Sequence, residues 1–128
     1  NESGLPLSSY LDYIKLRPDT ILIIQDDSDQ IESNKKLTQA GGSAGHHGIN
    51  SVYNNLASYK KVIWRLKLGI RPAENKNQSI TFVLKDMTQN DHNLVNITST
   101  QLYQNQEKLL VNDFNGLQNI LNQRSKSV

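Results

Sequence analysis

The chain has 128 residues and no cysteine. That excludes a disulfide scaffold, a thiolate metal site and a cysteine nucleophile. It suits an intracellular or organellar protein without excluding any compartment. No run is long and apolar enough for a membrane-spanning helix, and no membrane partner is expected. The opening Asn1-Glu2-Ser3-Gly4 has the pattern of neither a signal peptide nor a transit peptide. It also lacks an initiator methionine, so an upstream segment is expected to have been removed. An excess of one charge is missing too. Fourteen Lys and Arg against twelve Asp and Glu leave a net charge of +2, which is compatible with an anionic partner but does not by itself demand one. The length fits one small domain over residues 1–128.

Several catalytic signatures are absent as well. There is no Gly-x-Ser-x-Gly elbow, which disfavours a serine hydrolase. The turn from Gly41 to Gly48 has no following Lys-Ser/Thr and does not spell Gly-x-Gly-x-x-Gly, so it is neither a P-loop nor a dinucleotide fingerprint. Asp26-Asp27-Ser28-Asp29 lacks the glycine and terminal glutamate of an EF-hand. His46 and His47 are adjacent and cannot both face one centre from a helix, and nothing places His92 beside them. A zinc site is therefore not expected, nor is any other metal or cofactor. The Asn-x-Ser/Thr matches at Asn1, Asn77 and Asn96 read as chance in an Asn-rich chain.

What is present is an alternation of helices and strands, the pattern of an α/β sandwich. Residues 5–16 predict a helix with Leu7, Leu11 and Ile14 in one stripe beside Tyr10. Pro6 is tolerated in its first turn, and Arg17-Pro18-Asp19 ends it. Thr20–Gln25 is β-branched and apolar, as in a strand covered on both faces, and it runs into the acidic cluster. Residues 34–39 predict a weaker strand. Ile49 to Leu56 predicts a helix with Ile49, Val52, Tyr53 and Leu56 on one face. Val62 to Ile70 alternates apolar and basic residues, which predicts a strand with one wet face. A polar loop over 72–79 and a short apolar run over Ile80–Leu84 follow. A helix is predicted from about Asp91 to Leu110, and a last one from Phe114 to Leu121. The Asn/Gln bias from Gln89 onward could suggest disorder, but regularly spaced Leu, Ile and Val argue for helices with polar outer faces.

Two constellations could carry chemistry. A strand that ends in Asp-Asp-x-Asp sets carboxylates at the carboxyl edge of a sheet, where open α/β folds bind ligands. Without further context the same cluster reads more readily as a solvated turn. The Gly-rich turn lets the backbone approach a ligand, and the helix N-terminus beyond it favours anions. The glycines alone fit an ordinary tight connection equally well.

Taken in order, ILIIQDDSDQ, KKLTQAGGSAGHHGINSV, WRLKLGIRP and FVL resemble the bacterial and organellar type of peptidyl-tRNA hydrolase. That family shows an apolar strand ending in His-Asp-x-x-Asp, then Gly-Gly-x-x-Gly-His-Asn-Gly and a helix, then Arg-Leu-Arg-Ile-Gly-Ile-Gly-x-Pro. The opening Asn1-Glu2-Ser3-Gly4 is similar to its Met-Asn-x-Ser-Gly. The resemblance runs over nearly the whole chain and is strongest from Ile21 to Pro72. It implies a single-domain α/β fold, a twisted mixed sheet with helices packed on both faces, and a monomer. It implies hydrolysis of the ester between peptide and tRNA, without a metal, by a histidine base acting on water. In that scheme an aspartate orients the histidine, and asparagines grip the peptide and stabilise developing charge.

Carried over residue by residue, Asp26 matches the orienting aspartate and Asn1 an active-site asparagine. His46 matches the histidine of the substrate-cleft turn, flanked by Gly45 and Gly48. His47 stands where the family usually has asparagine, and imidazole lacks the amide's paired donor and acceptor. Gln25 replaces the usual histidine before Asp26, and the glycine that normally separates Ile70 from Arg71 is missing. The segment with Gly-Asn-Pro-Gly and Thr-Arg-His-Asn, which holds the family's catalytic histidine, is not in this sequence. The 128-residue chain alone is therefore expected to be inactive, and its sheet to have an open edge. A basic rim of Lys35, Lys36, Lys60, Lys61, Arg65, Lys67 and Arg71 is expected to track the tRNA backbone. Arg65 and Lys67 share a strand face, whereas Lys60 and Lys61 fit a solubilising loop as readily. The departures at His47 and Gln25 leave open a noncatalytic RNA-binding relative that acts as an organellar splicing cofactor. The Asn-rich, divergent sequence suggests a mitochondrial member.

Overall fold

The β-branched run that opens at Thr20 forms a strand, but it continues well past the apolar residues. The computed structural model describes residues 2–15, 20–39, 47–56, 62–72 and 86–122. Among them the elements run α1 (Gly4–Tyr13), β1 (Thr20–Ile31), β2 (Lys35–Gln39), α2 (His47–Asn55), β3 (Val62–Arg71), α3 (Gln89–Gln104), α4 (Gln106–Leu110) and α5 (Phe114–Leu121). The α/β class expected from the alternation is what forms. The acidic cluster is not a turn beyond the strand: Asp26 to Asp29 lie inside β1. The predicted helix from Asp91 to Leu110 is two helices. Asn105 turns its side-chain amide onto the carbonyl of Gln101 at 2.8 Å, and such side-chain bonds compete with the helical ladder. The Gly-rich turn from Gly41 to His46, residues 73–79, the Ile80–Leu84 run and the tail from 124 lie outside the described residues.

The strand order is β1-β3-β2. Glu32 N–H donates to Arg71 O at 2.7 Å and Gly69 N–H to Asn34 O at 2.8 Å. The carboxyl ends of β1 and β3 therefore lie side by side, and β2 starts where β3 ends. The sheet is mixed, with β1 parallel and β2 antiparallel to the central β3. The same register sets Leu37 opposite Leu66 and Lys36 opposite Lys67. Ser33, in the tight connection from β1 to β2, has φ 71°, a left-handed conformation that a side chain disfavours.

The chain divides into two compact units, residues Asn1–Ile21 with Gln39–Ile63, and residues Leu22–Thr38 with Trp64–Val128. In the first, α1 packs against α2. Leu11, Ile49, Val52 and Leu56 are buried. Gly4, not Ile14, completes the covered face of α1. A Cβ on Gly4 would stand 1.9 Å from Ser51 O, and Gly4 N–H donates to Ser51 Oγ at 3.0 Å. Only a glycine permits that approach.

In the second unit, alternate residues of β3 supply the core. Trp64 and Leu66 pack with Leu37, Phe114, Leu117 and Leu121, flanked by Leu22, Leu68, Leu102 and Leu109. Trp64 and Phe114 stack with ring centroids 5.3 Å apart. Helix α3 opens on a capping box between Thr88 and Asp91, and α5 opens on Asp113, which accepts from Gly116 N–H at 2.9 Å. The outer edge of β2 is covered by side chains of the α5 end. Leu37 N–H donates to Asn122 Oδ1 at 2.6 Å. Leu37 O accepts from Asn122 Nδ2 at 3.1 Å and from Gln118 Nε2 at 3.0 Å.

Candidate functional site

Asp26 sits on β1, half-buried, in the second unit. Its neighbours in sequence have separate tasks. Asp27 spends both carboxylate oxygens locally, Oδ1 accepting from Asp29 N–H at 2.9 Å and Oδ2 from Gln30 Nε2 at 2.9 Å. It shapes its own strand. Asp29 is exposed. On the other side, Gln25 is 8 % exposed. Its Nε2 donates to Asp26 O at 3.2 Å, and its Oε1 accepts from Arg65 Nε at 2.8 Å.

That last bond corrects the expected basic rim. Arg65 was expected on a wet strand face, but it is 1 % exposed and is the largest fully buried side chain described. Strand periodicity correctly sets Arg65 and Lys67 opposite to Trp64 and Leu66, yet it says nothing about what covers that face. Arg65 as it stands cannot lie along a phosphate backbone. Lys67 and Arg71 are half-buried, and Lys36 is exposed. The register pairs Lys36 with Lys67 across the two strands on one face. Like charges directly opposite destabilise a sheet unless an anion relieves them. Burial draws the half-buried Lys35 ammonium below the ordinary lysine range, because desolvation disfavours its charge. Arg71 Nε is buried without an acceptor among the described residues.

The first unit holds the described part of the substrate turn. His47 is exposed at the start of α2, and Gly48 behind it is buried. Asn1, Gly45, His46, Lys60 and Lys61 lie outside the described residues. The structure thus brings Gln25, Asp26 and Arg65 together in one unit and Lys36 and Lys67 together on one pair of strands. Among the described residues, no group of three His, Cys, Asp or Glu could hold a metal ion, and no helix is long and apolar enough to cross a membrane. The Gln25–Arg65 contact was missed from the sequence. Its signal was there: a glutamine that closes the apolar run Ile21–Ile24 needs a buried partner.

Compared with known proteins, the family model described as peptidyl-tRNA hydrolase matches residues 1–128. The chain belongs to the peptidyl-tRNA hydrolase family. The peptidyl-tRNA hydrolase of Corynebacterium efficiens is 33 % identical over 97 residues, which is 76 % of this chain and 54 % of that protein. That of Dichelobacter nodosus is 39 % identical over 85 residues, 66 % of this chain and 44 % of its own length. The chain spans about half the length of such curated relatives. A crystal structure of a peptidyl-tRNA hydrolase with n-propanol covers 98 % of this chain and 63 % of its own, with a TM-score of 0.76 at 21 % identity. The enzyme from Acinetobacter baumannii gives 0.73 over 94 % of this chain and 60 % of its own, at 21 % identity. Both share the fold.

Proposed function

We propose that this chain supplies the orienting carboxylate and the tRNA-backbone contacts of a peptidyl-tRNA hydrolase, an enzyme that cleaves the ester between peptide and tRNA. The observation that carries the catalytic part is Asp26. Its place in the motif that resembles the family's suggests the aspartate that orients a histidine base, and it is half-buried on a strand while Asp27 is consumed locally. In this reading a histidine base takes a proton from water, and the water attacks the ester carbonyl. Asp26 holds the imidazole in the tautomer that can accept that proton and stabilises the imidazolium that forms. Asn1, His46 and His47, with Gly45 and Gly48, bind the peptide end. Lys36 and Lys67, opposed across β2 and β3, meet the tRNA phosphates, with Lys35 next to Lys36 and Arg71 at the end of β3. A monomer acting in mitochondria belongs to the same reading, supported by the single-domain family pattern and the Asn-rich composition.

The test is deacylation of a peptidyl-tRNA by the full-length gene product. Asp26→Asn is expected to lower kcat/KM by several orders of magnitude, as loss of an orienting carboxylate does in serine proteases. Asp27→Asn and Asp29→Asn should lower it by less than about tenfold, because surface and locally bonded groups do not touch the reaction. Equal losses at all three positions would point to a structural cluster. RNA binding with no turnover would favour a noncatalytic relative. None of His46, His47 and His92 is assigned as the base in this reading.

A further inference from the structure

We propose that Arg65 and Gln25 form a buried relay that positions Asp26, which makes both of them positioning residues for the hydrolysis; this rests on the reading of Asp26 given above. Three observations carry the relay. The first is burial. Arg65 is 1 % exposed, and a guanidinium does not shed its proton in a protein. A charge held there must be hydrogen-bonded. The second is the assignment of the glutamine amide, which chemistry fixes. Arginine has donors and no acceptor, so the atom of Gln25 that meets Arg65 Nε at 2.8 Å is the oxygen. The Nε2 donor is then left to face an acceptor, and it meets Asp26 O at 3.2 Å. The amide fits in this sense only. The third is position. Gln25 closes the apolar run Ile21–Ile24, where a leucine would need no partner at all.

The bonded oxygen is the carbonyl of Asp26 itself. The relay therefore fixes the peptide plane next to the Cα from which the Asp26 carboxylate projects. It anchors that plane to the central strand β3 through a buried guanidinium. Misplacing a catalytic group by about 1 Å can cost on the order of 10²-fold in rate, so a relay that holds one backbone plane acts on kcat. It touches neither substrate nor base and should leave substrate binding alone. Imidazole also offers one acceptor and one donor, so Gln25→His is the variant that keeps the relay.

The experiment measures peptidyl-tRNA deacylation by the full-length gene product carrying Gln25→Leu, Gln25→His, Arg65→Met, Asp26→Asn, and Asp26→Asn with Gln25→Leu. Gln25→Leu is expected to lower kcat roughly 10- to 100-fold with KM within about twofold. It should also move the acid limb of the kcat/KM profile to lower pH, because a base that loses its aligned carboxylate holds its proton less tightly. Gln25→His should recover most of the rate. In the Asp26→Asn background, Gln25→Leu should cost nothing more, since there is no carboxylate left to position. An unchanged kcat in folded Gln25→Leu overturns the relay. So does a loss that multiplies with that of Asp26→Asn, or one with an unmoved pH profile. Should Arg65→Met fail to fold, the Gln25 variants decide the matter by themselves. If the unsubstituted protein shows no turnover, the hydrolase reading falls and the relay with it, whereas turnover that ignores position 25 removes the relay only.

Discussion

Replacing Asn122 by alanine removes both halves of the amide that closes the outer edge of β2. The consequences for Leu37 are unequal. Its N–H has Asn122 Oδ1 as partner at 2.6 Å, and Leu37 is 0 % exposed. Deleting that acceptor leaves a buried donor without a bond, which costs about 1–3 kcal/mol. The Leu37 carbonyl fares better. It loses Asn122 Nδ2 at 3.1 Å but keeps Gln118 Nε2 at 3.0 Å, a loss of about 0.5–1.5 kcal/mol. Asn122→Ala should therefore destabilise by about 2–4 kcal/mol, a large share of the roughly 5–15 kcal/mol that holds a typical domain folded. Gln118→Ala leaves Asn122 on both groups and should cost only about 0.5–1.5 kcal/mol. Denaturant unfolding measures both, and amide exchange at Leu37 should accelerate in the first variant and little in the second. A loss below about 0.5 kcal/mol for Asn122→Ala, or equal losses at the two positions, would refute the idea that this amide satisfies the strand edge.

Gly4→Ala should loosen the α1–α2 pair, because the new Cβ would stand 1.9 Å from Ser51 O. The expected loss is about 2 kcal/mol or more, read from thermal melts, and an unchanged melting temperature would mean the two helices can part freely. Ser33→Gly should do the opposite, stabilising by about 1 kcal/mol, since φ 71° at Ser33 favours a residue without a Cβ; a drop in stability would show that the serine side chain matters more than its backbone. In salt titrations of tRNA binding by the full-length gene product, Lys67→Ala should reduce the slope of log K against log salt by about one unit. The buried Arg65→Met should leave that slope unchanged, and a fall in slope at Arg65 would place it on the RNA after all.

Much of this was legible because hydrophobic period tracks faces. The alternation in Val62–Ile70 gave β3, and the spacing of Ile49, Val52 and Leu56 gave the covered face of α2. The family pattern marked Asp26 as a candidate without help from geometry. What period cannot report is what lies over a face. Arg65 carries a full charge and reads as wet, yet a glutamine forty residues earlier makes it a core residue. Aspartates are rare in strands, so the acidic cluster read as the end of β1 when it is part of it. Gln118 and Asn122 are spaced like any polar pair on an outer helix face. Only the sheet edge beside them turns them into partners for Leu37. The break at Asn105 is similar: nothing in an Asn-rich stretch marks which asparagine will bend back onto its own helix.

The stacked pair in the second unit has a practical consequence. Trp64 is the one tryptophan of the chain, and it is buried against Phe114 between β3 and α5. Of the five tyrosines, those at positions 10, 13 and 53 are described in the first unit, and Tyr10 and Tyr13 are largely exposed. Light absorbed by indole alone therefore reports whether α5 is docked on the sheet, while the phenolic signal comes mostly from the other unit. The protein carries a natural optical readout for each of its two units, and comparing the two signals during unfolding would show whether they melt together, with no label attached.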